Sequence, residues 1–254
     1  PAGKDSLALT FKPPRPAPEI SGMPWHDGPV CFNRDGTEVF ITLTQAARDK
    51  GRKDGNRVRT HLLKIYISTL AEGKWTEPAP FFLNSDEYSV GHPALTPDGK
   101  RLYFISDMKG GEGETDIWYC DRTDGTWSAP VNPGPVVNTP GKEMFPFVAE
   151  NGDLWFASDG HPGYGGLDLF VTRPEGDHWV RPQNPGQPVN SSYDDFSVAT
   201  PGSGERGLFS SNRPGGMGSD DIYSFTGLEK KPVVIAIQLP ENLPVAATPP
   251  PMNA

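Results

Sequence analysis

The residues of this chain best equipped for chemistry recur in four short clusters: Trp25-His26-Asp27, Gly91-His92, Glu143-Met144-Phe145 and Tyr193-Asp194-Asp195-Phe196. Carboxylates at Asp27, Glu143, Asp194 and Asp195 would suit glycoside cleavage, which needs two carboxyl groups facing each other about 5 to 9.5 Å apart across an open pocket. The same mixture of aromatic and acidic groups suits non-covalent binding of a peptide, a cationic loop or a sugar. The structural alternative is that these residues cap strands and hydrogen-bond between repeats.

Other chemistries find little support. No Gly-x-Ser-x-Gly nucleophile elbow is present, and neither His-x-x-x-His nor Cys-x-x-Cys spacing occurs among five histidines and two cysteines, so no metal site and no cofactor are expected. The glycine-rich stretches Gly110-Gly111-Glu112-Gly113, Gly163-Tyr164-Gly165-Gly166 and Gly215-Gly216-Met217-Gly218 lack the Lys-Ser/Thr of a phosphate loop. Each precedes an aspartate, Asp116, Asp168 or Asp221, placed to accept amide hydrogens from the turn. Calcium is the alternative in these loops, but only Asp220-Asp221 offers paired carboxylates where a calcium site wants six or more oxygens.

The elements that must position these groups are read from an internal repeat. Trp75, Trp127 and Trp179 stand 52 residues apart, and each opens a Trp-x-x-Pro unit followed by Asn84-Ser85, Asn138-Thr139 or Asn190-Ser191. Upstream recur the apolar runs Val39-Phe40-Ile41, Leu102-Tyr103-Phe104, Leu154-Trp155-Phe156 and Gly207-Leu208-Phe209, three of them after Asp-Gly or Asn-Gly hairpin turns. Each repeat thus supplies four short strands; in the second copy they are expected at 92–96, 101–106, 116–121 and 127–131. The fold class is all-β: a β-propeller of four-stranded antiparallel blades, four visible in the sequence, with five left open if the two ends contribute more strands. The recurrent Trp is expected in the outer strand, filling the space between blades.

The expected blades cover 25–84, 88–138, 141–190 and 193–226, within a propeller at 25–226. Residues 1–24 precede it, with 7–11 as a candidate ring-closing strand, and 227–254 form a Pro-rich tail. The clusters named above then fall at the starts of the innermost strands, ringing one mouth of the channel. The first blade also carries an insertion at 48–59, basic through residues including Arg52, Arg57 and Arg59, which ranks second as a binding surface.

The whole chain is acidic, with a net charge of −9 over 254 residues, which argues against a nucleic-acid partner. No apolar run reaches transmembrane-helix length. Cys31 and Cys120 lie in different repeats and are expected as free thiols. The sequence begins at Pro1 with no basic-then-apolar leader and reads as a processed or excised segment.

The runs Tyr88-Ser-Val-Gly-His-Pro-Ala-Leu-Thr-Pro-Asp-Gly99, Glu143-Met-Phe-Pro-Phe147, Ser158-Asp-Gly-His-Pro-Gly163, Gly165-Gly-Leu-Asp-Leu-Phe170, Asp194-Asp-Phe196 and Ser210-Ser-Asn-Arg-Pro-Gly-Gly216 together resemble a known group. It is the PD40, or TolB-like, propeller segments of OmpA-family envelope proteins in Bacteroidota, which include the PorE component of the type IX secretion system. The resemblance covers about residues 25–226. It implies a periplasmic, outer-membrane-associated protein that binds an envelope protein or cell-wall glycan, with no chemistry of its own. Family members often carry a peptidoglycan-binding domain after the propeller; nothing in these residues matches one, so that role does not carry over, and the oligomeric state is not implied.

Overall fold

A computed structural model describes residues 26–46, 52–53, 56–57, 61–202 and 204–227. Among them there is no helix; the chain runs as short strands joined by tight turns, as its 29 glycines and 29 prolines require. Sheet one contains β1 (His26–Phe32), β2 (Glu38–Ala46), β5 (His61–Ala71), β6 (Lys74–Trp75) and β7 (Ala79–Pro80), while β3 (Arg52–Lys53) and β4 (Asn56–Arg57) form a separate two-stranded ribbon within the basic insertion. Sheet two runs β8 (Val90–Leu95), β9 (Arg101–Ser106), β10 (Asp116–Thr123) and β11 (Thr126–Trp127). Sheet three holds β12 (Glu143–Val148), β13 (Leu154–Ser158) and β14 (Asp168–Thr172), with the small outer pair β15 (Pro174–Glu175) and β16 (His178–Trp179). Sheet four is β17 (Asp195–Ala199), β18 (Arg206–Ser211) and β19 (Asp221–Thr226). All strand pairings in the sheets are antiparallel, so the all-β propeller architecture holds.

The outer strands are shorter than the sequence pattern suggests. In sheet two only Thr126 and Trp127 pair with β10, and the next contact is an isolated bridge between Tyr119 and Val131. Pro130 lies between them, and a proline has no N–H to give to a ladder.

Sheets two and three bury apolar residues on both faces against their neighbours, and sheets one and four do so on one face. Phe40, Ile65 and Phe81 of sheet one meet Val90, Leu102, Phe104 and Trp118 of sheet two. The second seam joins Tyr103, Ile117 and Val137 to Leu154, Phe156 and Phe170; the third joins Trp155, Leu169 and Val189 to Val198, Phe209 and Phe225. Trp127 reaches back from sheet two to lie edge-on to Phe40 and Phe81, and Trp179 does the same from sheet three to Tyr103. Trp75 instead packs beside Val39, Ile41 and Leu43 of its own sheet.

Two polar devices lock this geometry. Asn84, Asn138 and Asn190 each use their side-chain amide to accept from the N–H and donate to the C=O of a buried residue in the third strand: Ile65, Ile117 and Leu169 respectively. In the glycine-rich turns Asp116 accepts from the amides of Glu112 and Gly113, Asp168 from Tyr164 and Gly165, and Asp221 from Gly218, as the sequence leads one to expect. Glycine is required there for space: a Cβ at Gly111 would lie 1.7 Å from Asp116 Oδ2, and one at Gly216 would lie 1.7 Å from Asp221 Oδ2.

Sheet four ends the series differently. Ile222 occupies the register position of Ile117 and Leu169, which are fully buried, yet it is 74% exposed. Around it, Ser210 and Ser224 replace the Ile105 and Tyr119 of sheet two. Among the described residues, sheet four makes no substantial contact with sheet one. The ring-closing role expected for residues 7–11 lies outside the described residues.

Candidate functional site: the channel between the innermost strands

The innermost strands β1, β8, β12 and β17 each break register at one place, where two residues oppose one on the neighbouring strand: Gly28-Pro29, His92-Pro93, Phe145-Pro146 and Ser197-Val198. Such a bulge bends the strand and re-aims a side chain. In three of the four, the first bulge residue has left-handed backbone: φ is 49° at His92, 52° at Phe145 and 54° at Ser197. Non-glycine residues pay for this conformation, and bulky ones more. Its repetition at equivalent places requires a common cause, which two of the bulges show. The freed His92 amide donates to Thr42 Oγ1 of sheet one, and the Phe145 amide donates to His92 Nδ1, so each stitches its sheet to the preceding one.

The outcome is an aromatic stack across three sheets. The His92 and Phe145 rings lie 4.3 Å apart and nearly parallel, and Phe145 lies 5.0 Å from Phe196. Beyond it opens a cavity of about 490 Å³ lined by all four innermost strands, including Val30, His92, Phe145, Ser197 and Thr200. Arg34 of sheet one and Glu150 of sheet three, both lining residues, form an exposed ion pair at 3.3 Å. Such a pair is worth at most about 1 kcal/mol and opens readily.

The carboxylates lie elsewhere. Glu143 is fully buried and accepts from Thr139 N, Thr139 Oγ1 and Ser158 Oγ. Burial pushes its carboxyl above the ordinary range, against the pull of those hydrogen bonds. Asp195, also fully buried, accepts from the amide and hydroxyl of Ser191 and pairs with Arg213. Asp194 accepts from Leu167 N and Asn212 Nδ2, joining sheets three and four. None of the three lines the cavity. Tyr193 is exposed nearby. His26 and Asp27 open β1, Arg52 and Arg57 are register partners in the ribbon, and Trp25 and Arg59 lie outside the described residues.

Of the residues singled out from sequence, the structure therefore brings together His92 and Phe145 and separates them from Glu143 and Asp195. It adds Val30, Ser197, Thr200, Arg34 and Glu150, which the sequence reading missed. A signal for the bulges was available: a proline inside an apolar strand pattern, at Pro29, Pro93 and Pro146, marks a bulge or an edge. Both cysteines are free, Cys31 half-buried and Cys120 buried. No group of His, Cys, Asp or Glu able to hold a metal ion occurs among the described residues, and no helix there is long and apolar enough to cross a membrane.

Burial lowers the His92 pKa from the usual 6.5 to about 4, so its ring is neutral at pH 7. Because the unfolded chain takes up that proton first, the stability this neutral ring supports is fully present above pH 6.5 and is lost as pH falls through the folded value. The loss is roughly 3 kcal/mol for a shift of this size. Glu143, Asp116 and Asp168, raised by burial, act in the opposite sense. His92→Asn keeps an acceptor for the Phe145 amide and tolerates left-handed backbone. Urea titrations from pH 7 to 4 should show a smaller acid loss for this variant than for wild type. Equal slopes would mean that His92 does not titrate as its burial implies.

No family model matches the chain, and no curated protein does. Among solved structures, TolB from Acinetobacter baumannii is 14% identical over 79% of this chain and 41% of its own length, with a TM-score of 0.48. A puromycin-hydrolyzing peptidase from Mycobacterium tuberculosis is 17% identical over 73% of this chain and 25% of its own, with a TM-score of 0.45. A Hadza microbial sialidase is 13% identical over 80% and 44%, with a TM-score of 0.46. The chain thus spans less than half the length of each of these proteins.

Proposed function

We propose that the chain is a non-catalytic interaction module of the bacterial cell envelope, docking a protein or glycan partner at its channel. The observation that carries this reading is the state of the acidic residues. Glu143 and Asp195 are enclosed and saturated by structural hydrogen bonds, whereas a glycosidase needs its carboxyl groups open to substrate and, for inversion, to water. The periplasmic, outer-membrane-associated location, and a link to type IX secretion, belong to the same proposal and rest on the resemblance of the blade motifs to OmpA-family envelope proteins.

The test is an affinity pull-down from an envelope extract with the wild-type chain, a Val30→Asp variant and a deletion of 48–59. A partner kept by wild type and lost with Val30→Asp supports docking at the channel; loss with the deletion moves the surface to the basic ribbon. A glycan-hydrolysis activity that disappears in Glu143→Gln would overturn the reading in favour of an enzyme.

A further inference from the structure

The channel cavity has a more specific character than a general docking mouth, and the ligand class it points to rests on the proposal that the channel is where a partner binds. Its walls combine apolar and polar groups: Val30 is 49% exposed, Pro93, Phe145, Pro146 and Ala199 add no hydrogen-bonding side chain, and Arg34, His92, Glu150, Ser197 and Thr200 supply polar ones. One lining side chain keeps an enclosed polar atom unpaired, and a second presents a ring donor. Thr200 Oγ1 is enclosed with no hydrogen-bond partner. His92 uses Nδ1 as an acceptor for the Phe145 amide, which places the ring proton on Nε2, a donor with no hydrogen-bond partner among the described residues. A ligand that supplies an acceptor to either group makes a hydrogen bond that the protein alone leaves unmade.

We infer that the cavity takes an apolar side chain, leucine-like or aromatic, presented by an extended peptide whose carbonyl accepts from His92 Nε2. The floor for that side chain is the His92–Phe145 stack, fixed in place by left-handed backbone at both residues. The rim pair Arg34–Glu150 offers one charge of each sign, which matches the dipoles of a peptide backbone crossing the mouth.

The experiment is an NMR titration of the full chain with the blocked pentapeptide acetyl-Ala-Ala-Leu-Ala-Ala-amide, its all-alanine counterpart, and an N-acetylglucosamine trimer. The leucine peptide should give saturable shifts at His92 and Phe145 and bind at least about tenfold more tightly than the alanine peptide, the difference set by burying the leucine side chain. Ala199→Trp, which fills the cavity from an exposed position, should abolish those shifts. Val30→Asp should weaken binding by about tenfold or more and serves if the tryptophan variant does not fold. Equal binding of the two peptides, or shifts that map away from the cavity, would overturn the inference. So would saturable trimer shifts at His92 and Phe145 with none from the leucine peptide. If these fail while the pull-down still retains a partner in wild type, the broader interaction reading survives and only the peptide pocket falls.

Discussion

Replacing Arg213 with alanine should destabilise the protein by about 3 to 5 kcal/mol, the usual effect of removing one partner from a buried ion pair. The arginine donates to Asp195 and to the carbonyls of Pro188 and Val189, and its guanidinium lies over the rings of Phe209 and Tyr223. Without it, the fully buried Asp195 carboxylate keeps only the Ser191 amide and hydroxyl, and two carbonyls lose their donors. Chemical denaturation of Arg213→Ala, Asp195→Asn and the double variant separates the causes. If the orphaned charge dominates, the double variant should lose clearly less than the sum of the two single losses. Strict additivity would assign the effect to the arginine's packing on the two rings.

Asn138→Leu is expected to cost about 4 kcal/mol although it conserves side-chain size. The change orphans both main-chain groups of Ile117, which is fully buried, at about 1 to 3 kcal/mol each, and removes the donor to Asn132 Oδ1. The same substitution at Asn190 should behave alike, since Leu169 and Asn184 stand in the corresponding places. A loss under about 1 kcal/mol in the folding midpoint analysis at either position would mean that water replaces the amide, and that the repeated asparagine is not a latch.

Much of the fold was legible because the repeat constrains itself. One Trp-x-x-Pro or one Asp-Gly turn is weak, but three or four copies in phase fix strand order, hairpin type and the seams between sheets. The turn role of Asp116 and Asp168 was legible for the same reason. The site was less so. Glu143 and Asp195 were correctly placed at strand starts, yet whether a carboxylate there faces a channel or the protein interior depends on partners. Thr139 and Ser191 lie four residues before them, but Ser158 and Arg213 lie 15 and 18 residues further on. Those distances close only when the adjoining turn folds. The bulges were hidden for a different reason: period-two reading assumes an unbroken register, and an inserted residue shifts every later side chain to the other face. Thus His92 and Phe145 were picked out as members of the strand-entry clusters, while the structure makes each the first residue of a bulge that lines the cavity.

The exposed position of Ile222 on sheet four bears on how the molecule comes apart. Apart from the exposed Arg34–Glu150 pair, the described sheets pack chiefly against the one before and the one after, so the free energy of the assembly is close to a sum of unit and seam contributions, as in a row of coupled dominoes. Among the described residues sheet four shares one seam, with sheet three, and Ile222 and the serines beside it give its other face little apolar surface to bury. Amide exchange should therefore be quickest in β18 and β19 and slowest in β9 and β13, which sit between two seams. A protease probing the folded state would then enter from that end, releasing the terminal sheet while the channel floor at His92 and Phe145 stays assembled.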